Sequence, residues 1–211
     1  MSKRRSLVTL LALLLAGGLQ QACVPLVAMG VGGGVASTLD RRTYGEQIID
    51  TEIEHRFNRR FPSALEAKTA ASATAFNRWV LITGQAMDEP AKAEVETLAR
   101  SIPNVREVFN ELTIAYPSSF GSRSNDTLLT SKVKARLFDS PLVSGNHVKV
   151  VSESGVVYLM GMVTEAEANA AINVARTTAG VSKVVNVMEI ISPAQAKALS
   201  VKVSNDQKPA E

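Results

Sequence analysis

The 211-residue sequence predicts an α+β protein made of two tandem units, each ordered α-β-β-α-β with its helices on one face of a small three-stranded sheet. Three observations carry that expectation. Residues 80–114 lie over 157–190 with one extra residue in the first copy, so that Gly84 falls on Gly161, Asp88 on Thr164, Val105 on Val181 and Ile114 on Ile190. Upstream, 72–80 matches 149–157 and 50–57 matches 130–137. Within each copy the apolar spacing also switches from helical to alternating and back, with turn and cap residues at the switches.

Taken in order, each unit opens with a helix. Ile49, Ile53, Phe57 and Phe61 share one face in the first copy, and Leu129, Val133 and Leu137 do so in the second. Asn125, Asp126 or Thr127 caps the second of these helices. A β-hairpin follows, with strands at 148–151 and 156–160 joined by Ser152 to Gly155 in the second copy. Gly84 and Gly161 are expected to end the second strand, where the chain bends toward a helix. Thr164 with Glu167 forms a capping box, and Asp88 with Pro90 does the same work in the first copy. Ala-rich helices run to about Arg100 and Thr178, where Pro103-Asn104 and Gly180 stop them. A last strand closes each unit, at 105–114 and 184–191.

The boundaries follow: 1–22 a signal peptide, 23–45 a tether, 46–116 the first unit, 117–123 a linker, 124–192 the second unit and 193–211 a disordered tail. Lys3, Arg4 and Arg5 precede the apolar run 7–19, which is too short to span a bilayer as a stable helix and reads as a signal h-region. Cys23, the chain's single cysteine, follows directly after Ala22 and cannot form an internal disulfide. Its position is that of the acylated first residue of a bacterial lipoprotein, although Gln20-Gln21-Ala22 departs from the usual leucine-plus-small-residue pattern. Ordinary secretory cleavage or an uncleaved anchor are the alternatives, and no A-x-A site stands nearby. Val24 after the cysteine, where an aspartate would favour the inner membrane, points to the outer membrane. The formal charge of +3 vanishes when the three n-region cations are removed, leaving 20 basic against 20 acidic residues. A neutral mature chain gives no electrostatic reason for a nucleic-acid partner.

A helix, a hairpin ending in V-x-L-x-G, an Ala-rich helix and then G-V-x-x-V-x-N resembles the BON domain. The stretches VYLMG (157–161) and GVSKVVNVM (180–188) carry it in the second unit. VLITG (80–84) and NVREVFNEL (104–112) carry it in the first, with Asn104 in place of the glycine. The resemblance covers roughly residues 46–192. A lipidated cysteine followed by two such units resembles outer-membrane lipoproteins of this family. That likeness implies lipid binding, a role in outer-membrane integrity and recruitment to division sites.

No catalytic constellation is apparent. His55 and His147 have no cysteine or second histidine at metal-ligand spacing and read as surface or edge residues; no cofactor and no metal are expected. Glu165 and Glu167 suit a helix N-terminus better than a catalytic carboxylate pair. The run 31–37 lacks the lysine and preceding strand of a phosphate loop. The helix order also resembles nucleic-acid KH modules, but no G-x-x-G loop joins the helices.

The candidate site lies on the first helix of the second unit. At about 100° per residue, Leu128, Lys132 and Ala135 fall away from the core face, and Lys134 and Arg136 flank it. With Arg123 ahead of the helix and Thr127 beside the leucine, the expected lipid-binding set is Arg123, Thr127, Leu128, Lys132, Lys134, Ala135 and Arg136. Residues 123–138 hold four basic residues and one acid, whereas 46–61 hold four acids and three basic residues. Only the second helix suits an anionic surface. Each cation is worth about 1 kcal/mol there, and the leucine about half that. Alternatively, Leu128 packs between the units or under the linker, and the cations merely solvate the helix.

The sequence therefore points to a non-catalytic, periplasm-facing lipoprotein of the outer membrane. Its partners are expected to be anionic phospholipids such as phosphatidylglycerol or cardiolipin. A protein-interaction scaffold is the second reading, such as an accessory of the barrel-assembly machinery using an exposed sheet or the first unit.

Overall fold

Both hairpins are closed by two-residue turns in which each central residue has positive φ: Asn77 (51°) and Arg78 (66°) in the first, Ser154 (51°) and Gly155 (79°) in the second. Such turns match the right-handed twist of the strands they join. A computed structural model describes residues 40–116 and 120–206, with backbone alone for 120–123 and 201–206. The signal peptide, Cys23, most of the tether, residues 117–119 and the last five residues lie outside the described residues.

The first unit comprises α1 (Tyr44–Arg60), the short α2 (Ser63–Glu66), β1 (Thr69–Phe76), β2 (Trp79–Ala86), α3 (Glu89–Arg100), β3 (Glu107–Asn110) and β4 (Thr113–Ile114). The second has α4 (Phe120–Phe138), a 3₁₀ turn at Gly145–His147, β5 (Val148–Glu153), β6 (Val156–Val163), α5 (Glu165–Arg176) and β7 (Lys183–Ile190), with α6 (Pro193–Asp206) after it. The central strand β2 pairs antiparallel with β1 and parallel with both β3 and β4, a last strand interrupted at Glu111 and Leu112, whereas β6 pairs antiparallel with β5 and parallel with β7.

The caps form where the sequence places them. Asp88 accepts from the Ala91 amide at 2.7 Å, and Thr164 and Glu167 exchange both bonds of a capping box. Asn104 (φ 72°) and Gly180 (φ 100°) supply the left-handed residues beyond α3 and α5.

Four expectations are corrected. Gly84 and Gly161 do not end their strands. A Cβ at Gly84 would lie 1.9 Å from the Ala70 carbonyl oxygen, and one at Gly161 would lie 2.3 Å from that of His147, so both admit a close backbone approach inside the sheet. The helices of the two copies superpose one turn away from the 50–57 on 130–137 match: Asp50 corresponds to Asp126, because each holds the hairpin turn of its own unit. The helix α4 starts at Phe120, inside the expected linker, which moves Asp126 from a cap into the helix interior. Residues 193–206 form a helix where a disordered tail was expected. Ser192 and Gln195 cap it reciprocally (3.2 and 2.9 Å), Pro193 begins it, and Ala196 is buried.

Three apolar clusters hold the described chain together. One joins Ile53 and Phe57 of α1 and Val95 of α3 to Val80 and Ile82 of β2. A second repeats this arrangement with Leu129, Val133 and Leu137 of α4, Ala171 of α5 and Val157 and Leu159 of β6. The third draws on both units: Phe76, Leu81, Tyr158, Met160 and Val187, flanked by Trp79, Phe109, Val151 and Val185. Alternate residues of β2 and β6 face away from their own helices, so the two sheets stack back to back in four layers, helices outside and sheets within. Five side chains buried this way are worth on the order of 10 kcal/mol, comparable to the whole stability of a small domain. The described residues from Asp40 onward accordingly form one compact unit, and the exposed sheet expected of a scaffold is covered. Burial and the carboxylates of Glu111 and Glu153 push the Tyr158 phenol up to about 12.

Polar ties cross the same boundary. Arg41, ahead of α1, donates two 2.8 Å bonds to the Glu167 carboxylate and one to the Met162 carbonyl. Lys149 pairs with Glu54 at 3.1 Å, Asn77 donates to Glu189 at 2.6 Å and Gln85 donates to Glu153 at 2.7 Å. Burial opposes the charge on Glu167, but the Arg41 bonds and those from the Thr164 amide and hydroxyl prevail and hold its pKa down to about 2.

Two measurements check this description. Thermal unfolding of Gly84→Ala should show a loss of at least about 2 kcal/mol, in the range of strained or overpacked sites. Gly45→Ala, in the first turn of α1 with only Thr43 near at 3.9 Å, should gain up to about 1 kcal/mol. Because the folded pKa of Glu167 is depressed, its contribution is complete above the ordinary carboxylate value of 4.5 and is lost as pH falls toward 2. The stability gap between the native chain and Glu167→Gln, followed by denaturant titration, should therefore shrink over that window.

Candidate functional site

The outward face of α4 is set by what its inner face holds. Asp126 is 6% exposed, and its two carboxylate oxygens accept from the Ser154 amide at 2.8 Å and the Gly155 amide at 2.9 Å. A carboxylate answering two turn amides fixes both the rotation and the axial position of the helix against the hairpin. Asp50 does the same in the first unit, accepting from Asn77 and Arg78 at 2.7 Å each. Arg42 also ion-pairs with Asp50 (2.8 Å) and lies 3.9 Å above the Phe76 ring. Neither aspartate was assigned this role from sequence. Their signal is an acid at one position before the core stripe of each first helix, visible only once the two helices are aligned one turn differently.

With that rotation fixed, Leu129, Val133 and Leu137 are buried, and Leu128 points outward, 53% exposed and a member of none of the three apolar clusters. Thr127, Lys132, Lys134, Ala135 and Arg136 are exposed beside it. The side chain of Arg123 lies outside the described residues. Among the described residues neither Lys132 nor Lys134 pairs with a carboxylate.

Arg136 differs from the lysines in being tied to the protein itself. Its guanidinium donates to the Val174 carbonyl at 2.9 Å, to the Thr178 hydroxyl at 2.7 Å and to the Thr177 hydroxyl at 3.1 Å. It thereby closes the C-terminal end of α5, where unsatisfied carbonyls and the helix dipole favour a cation.

Two further exposed apolar residues, at the end of α4 and just beyond it, were not predicted. Phe138 is 58% exposed and Leu142 is 72% exposed. The Phe138 ring lies against Gly145, where a Cβ would come within 2.8 Å of it, so the ring is held in place although it faces solvent. Continuing the helical turn past Leu137 places Phe138 on the side of Leu128, a signal that was present in the sequence. Leu142 stands in the loop beyond the helix and had none.

The first unit has no such ridge. Counting from the latching aspartate, Glu52 stands where Leu128 stands and Arg56 where Lys132 stands, and the two pair at 2.6 Å. The second histidine also has a structural setting: His147 Nδ1 is buried 3.6 Å from Glu167 without a hydrogen bond. Burial, then the Arg41 charge, lowers its pKa despite the nearby Glu167. Among the described residues no helix is long and apolar enough to cross a membrane.

Arg136→Gln should lower stability by about 1–2 kcal/mol through loss of the α5 closure, measured by thermal unfolding.

A family model described as the BON domain matches residues 49–116 and again 125–192. Over 176 residues the chain is 36% identical to the outer membrane lipoprotein DolP of Haemophilus influenzae, covering 81% of this chain and 90% of that protein. It is 32% identical over 155 residues to the 21 kDa hemolysin of Actinobacillus pleuropneumoniae, covering 72% and 80% respectively. The osmotically-inducible protein Y of Escherichia coli is 31% identical over 110 residues, 51% of this chain and 55% of that protein.

Proposed function

The chain belongs to the BON domain family, and from that premise we propose that it is a lipid-anchored outer-membrane protein whose second unit rests α4 on anionic phospholipid. Cys23 carries the anchor, and the folded unit faces the periplasm. The protein acts by binding, without turnover. It supports outer-membrane integrity and gathers where anionic lipid is enriched, as at a division site. The similarity to a protein named as an outer membrane lipoprotein supports the address.

The observation that carries the lipid reading is one exposed face bearing Leu128, Phe138 and two lysines that have no carboxylate partner among the described residues. Two cations near an anionic surface contribute about 2 kcal/mol, and two apolar side chains at the interface add about 1 kcal/mol. The total is roughly a hundredfold enrichment, weak and reversible by itself. A chain already held to the membrane by acylation needs no more than that to choose its place on it. Phe138 supplies the aromatic character that Leu128 lacks.

Flotation of a form beginning at Thr38 tests this. Binding should appear with vesicles containing phosphatidylglycerol or cardiolipin, fall as salt is raised, and be absent with zwitterionic vesicles. Leu128→Glu together with Lys132→Glu should reduce it at least tenfold, and Phe138→Ser severalfold. Binding that ignores lipid charge, or survives the double substitution, would remove the reading.

A further inference from the structure

The solvent face of α1 points away from that of α4. Tyr44 is 77% exposed and Ile48, one turn later, 51% exposed. They form the apolar end of an open groove that continues along the helix through Gln47, Thr51 and His55. Beyond His55 the groove becomes cationic, bounded by Arg56, Arg59 and Arg60. Glu52, the one acid among its described lining residues, pairs with Arg56. Among the described residues Arg59 and Arg60 have no carboxylate partner. One helix face thus offers apolar side chains at one end and two open guanidiniums at the other, spread over about 24 Å for the 17 residues of α1.

From this arrangement we propose that the α1 face is a docking surface for an acidic, amphipathic protein segment in the aqueous phase. Guanidinium forks pair bidentately with carboxylates, and the Tyr44–Ile48 stripe suits the apolar face of a helix laid alongside it. The four-layer stacking separates this face from α4 by both sheets and their helices. This step rests on the lipid reading of α4: when that helix lies on the bilayer, α1 is turned away from the same leaflet, so its occupant is a protein and not the lipid already engaged. The two copies have divided their labour, the apolar-cationic ridge facing lipid and the apolar-cationic groove facing a soluble partner.

The test uses the full-length lipoprotein in cells, with a benzophenone amino acid at Ile48 and, separately, at Phe138. The Ile48 probe should yield a protein adduct whose cross-linked peptide carries Asp or Glu within one helical turn of the contact. Arg59→Glu with Arg60→Glu should lower its yield at least tenfold, while Arg59→Lys with Arg60→Lys retains most of it. A lipid adduct, an adduct with a second copy of this chain, no adduct, or a yield indifferent to charge reversal would each overturn the proposal. The Phe138 probe keeps the two readings apart: a lipid adduct there together with failure at Ile48 sinks this inference alone, and a protein adduct at both positions sinks the lipid reading instead.

Discussion

A small sheet has two faces, and the helices of each unit cover only one of them. Leu81 and Tyr158 come from the central strands of the two sheets, project away from their own helices, and are almost fully buried because each sheet covers the other. Everything else in the described structure is placed by that burial. It sends the two helix layers to opposite sides, turns two repeats into one compact unit, and leaves the helix surfaces as the broad faces available for partners. An isolated unit would expose a continuous apolar sheet face, the kind of patch that soluble monomers avoid.

Within that frame each unit is aligned by a carboxylate. Asp50 and Asp126 reach from the first helix to the two amides at the tip of their own hairpin, which would otherwise be left without partners in a half-buried turn. The bond couples a local feature, the left-handed turn, to a tertiary one, the rotation of the helix. Leu128 is outside because Asp126 and Leu129 are inside. The outward ridge is therefore a consequence of core geometry, with only its side-chain identities open to change.

Those identities are where the copies diverge. Glu52 and Arg56 pair with each other at the positions that Leu128 and Lys132 occupy in the second unit, so the same backbone positions carry an ion pair in one copy and an exposed leucine and lysine in the other. An exposed pair of that kind adds little stability. Surface charges act over about 10 Å at moderate salt, and the two helix faces lie on opposite sides of the stacked sheets.

The repeat, the order of elements, both helix caps and the direction of Leu128 were readable from the sequence, because each rests on local periodicity or on contacts within a few residues. Thr164 finds Glu167 three positions on whatever the rest of the chain does. Phe138 and the Ser192–Gln195 cap were equally local and were passed over. What only the tertiary structure decided involves partners far apart along the chain: Arg41 with Glu167, the sheet-on-sheet core, the carboxylate latches, and the engagement of Arg136 at the end of α5. An arginine on a helix wheel looks the same whether it faces solvent or closes a neighbouring helix. Sequence spacing records the direction in which a side chain leaves its own element and carries nothing about which distant surface has been brought up to meet it.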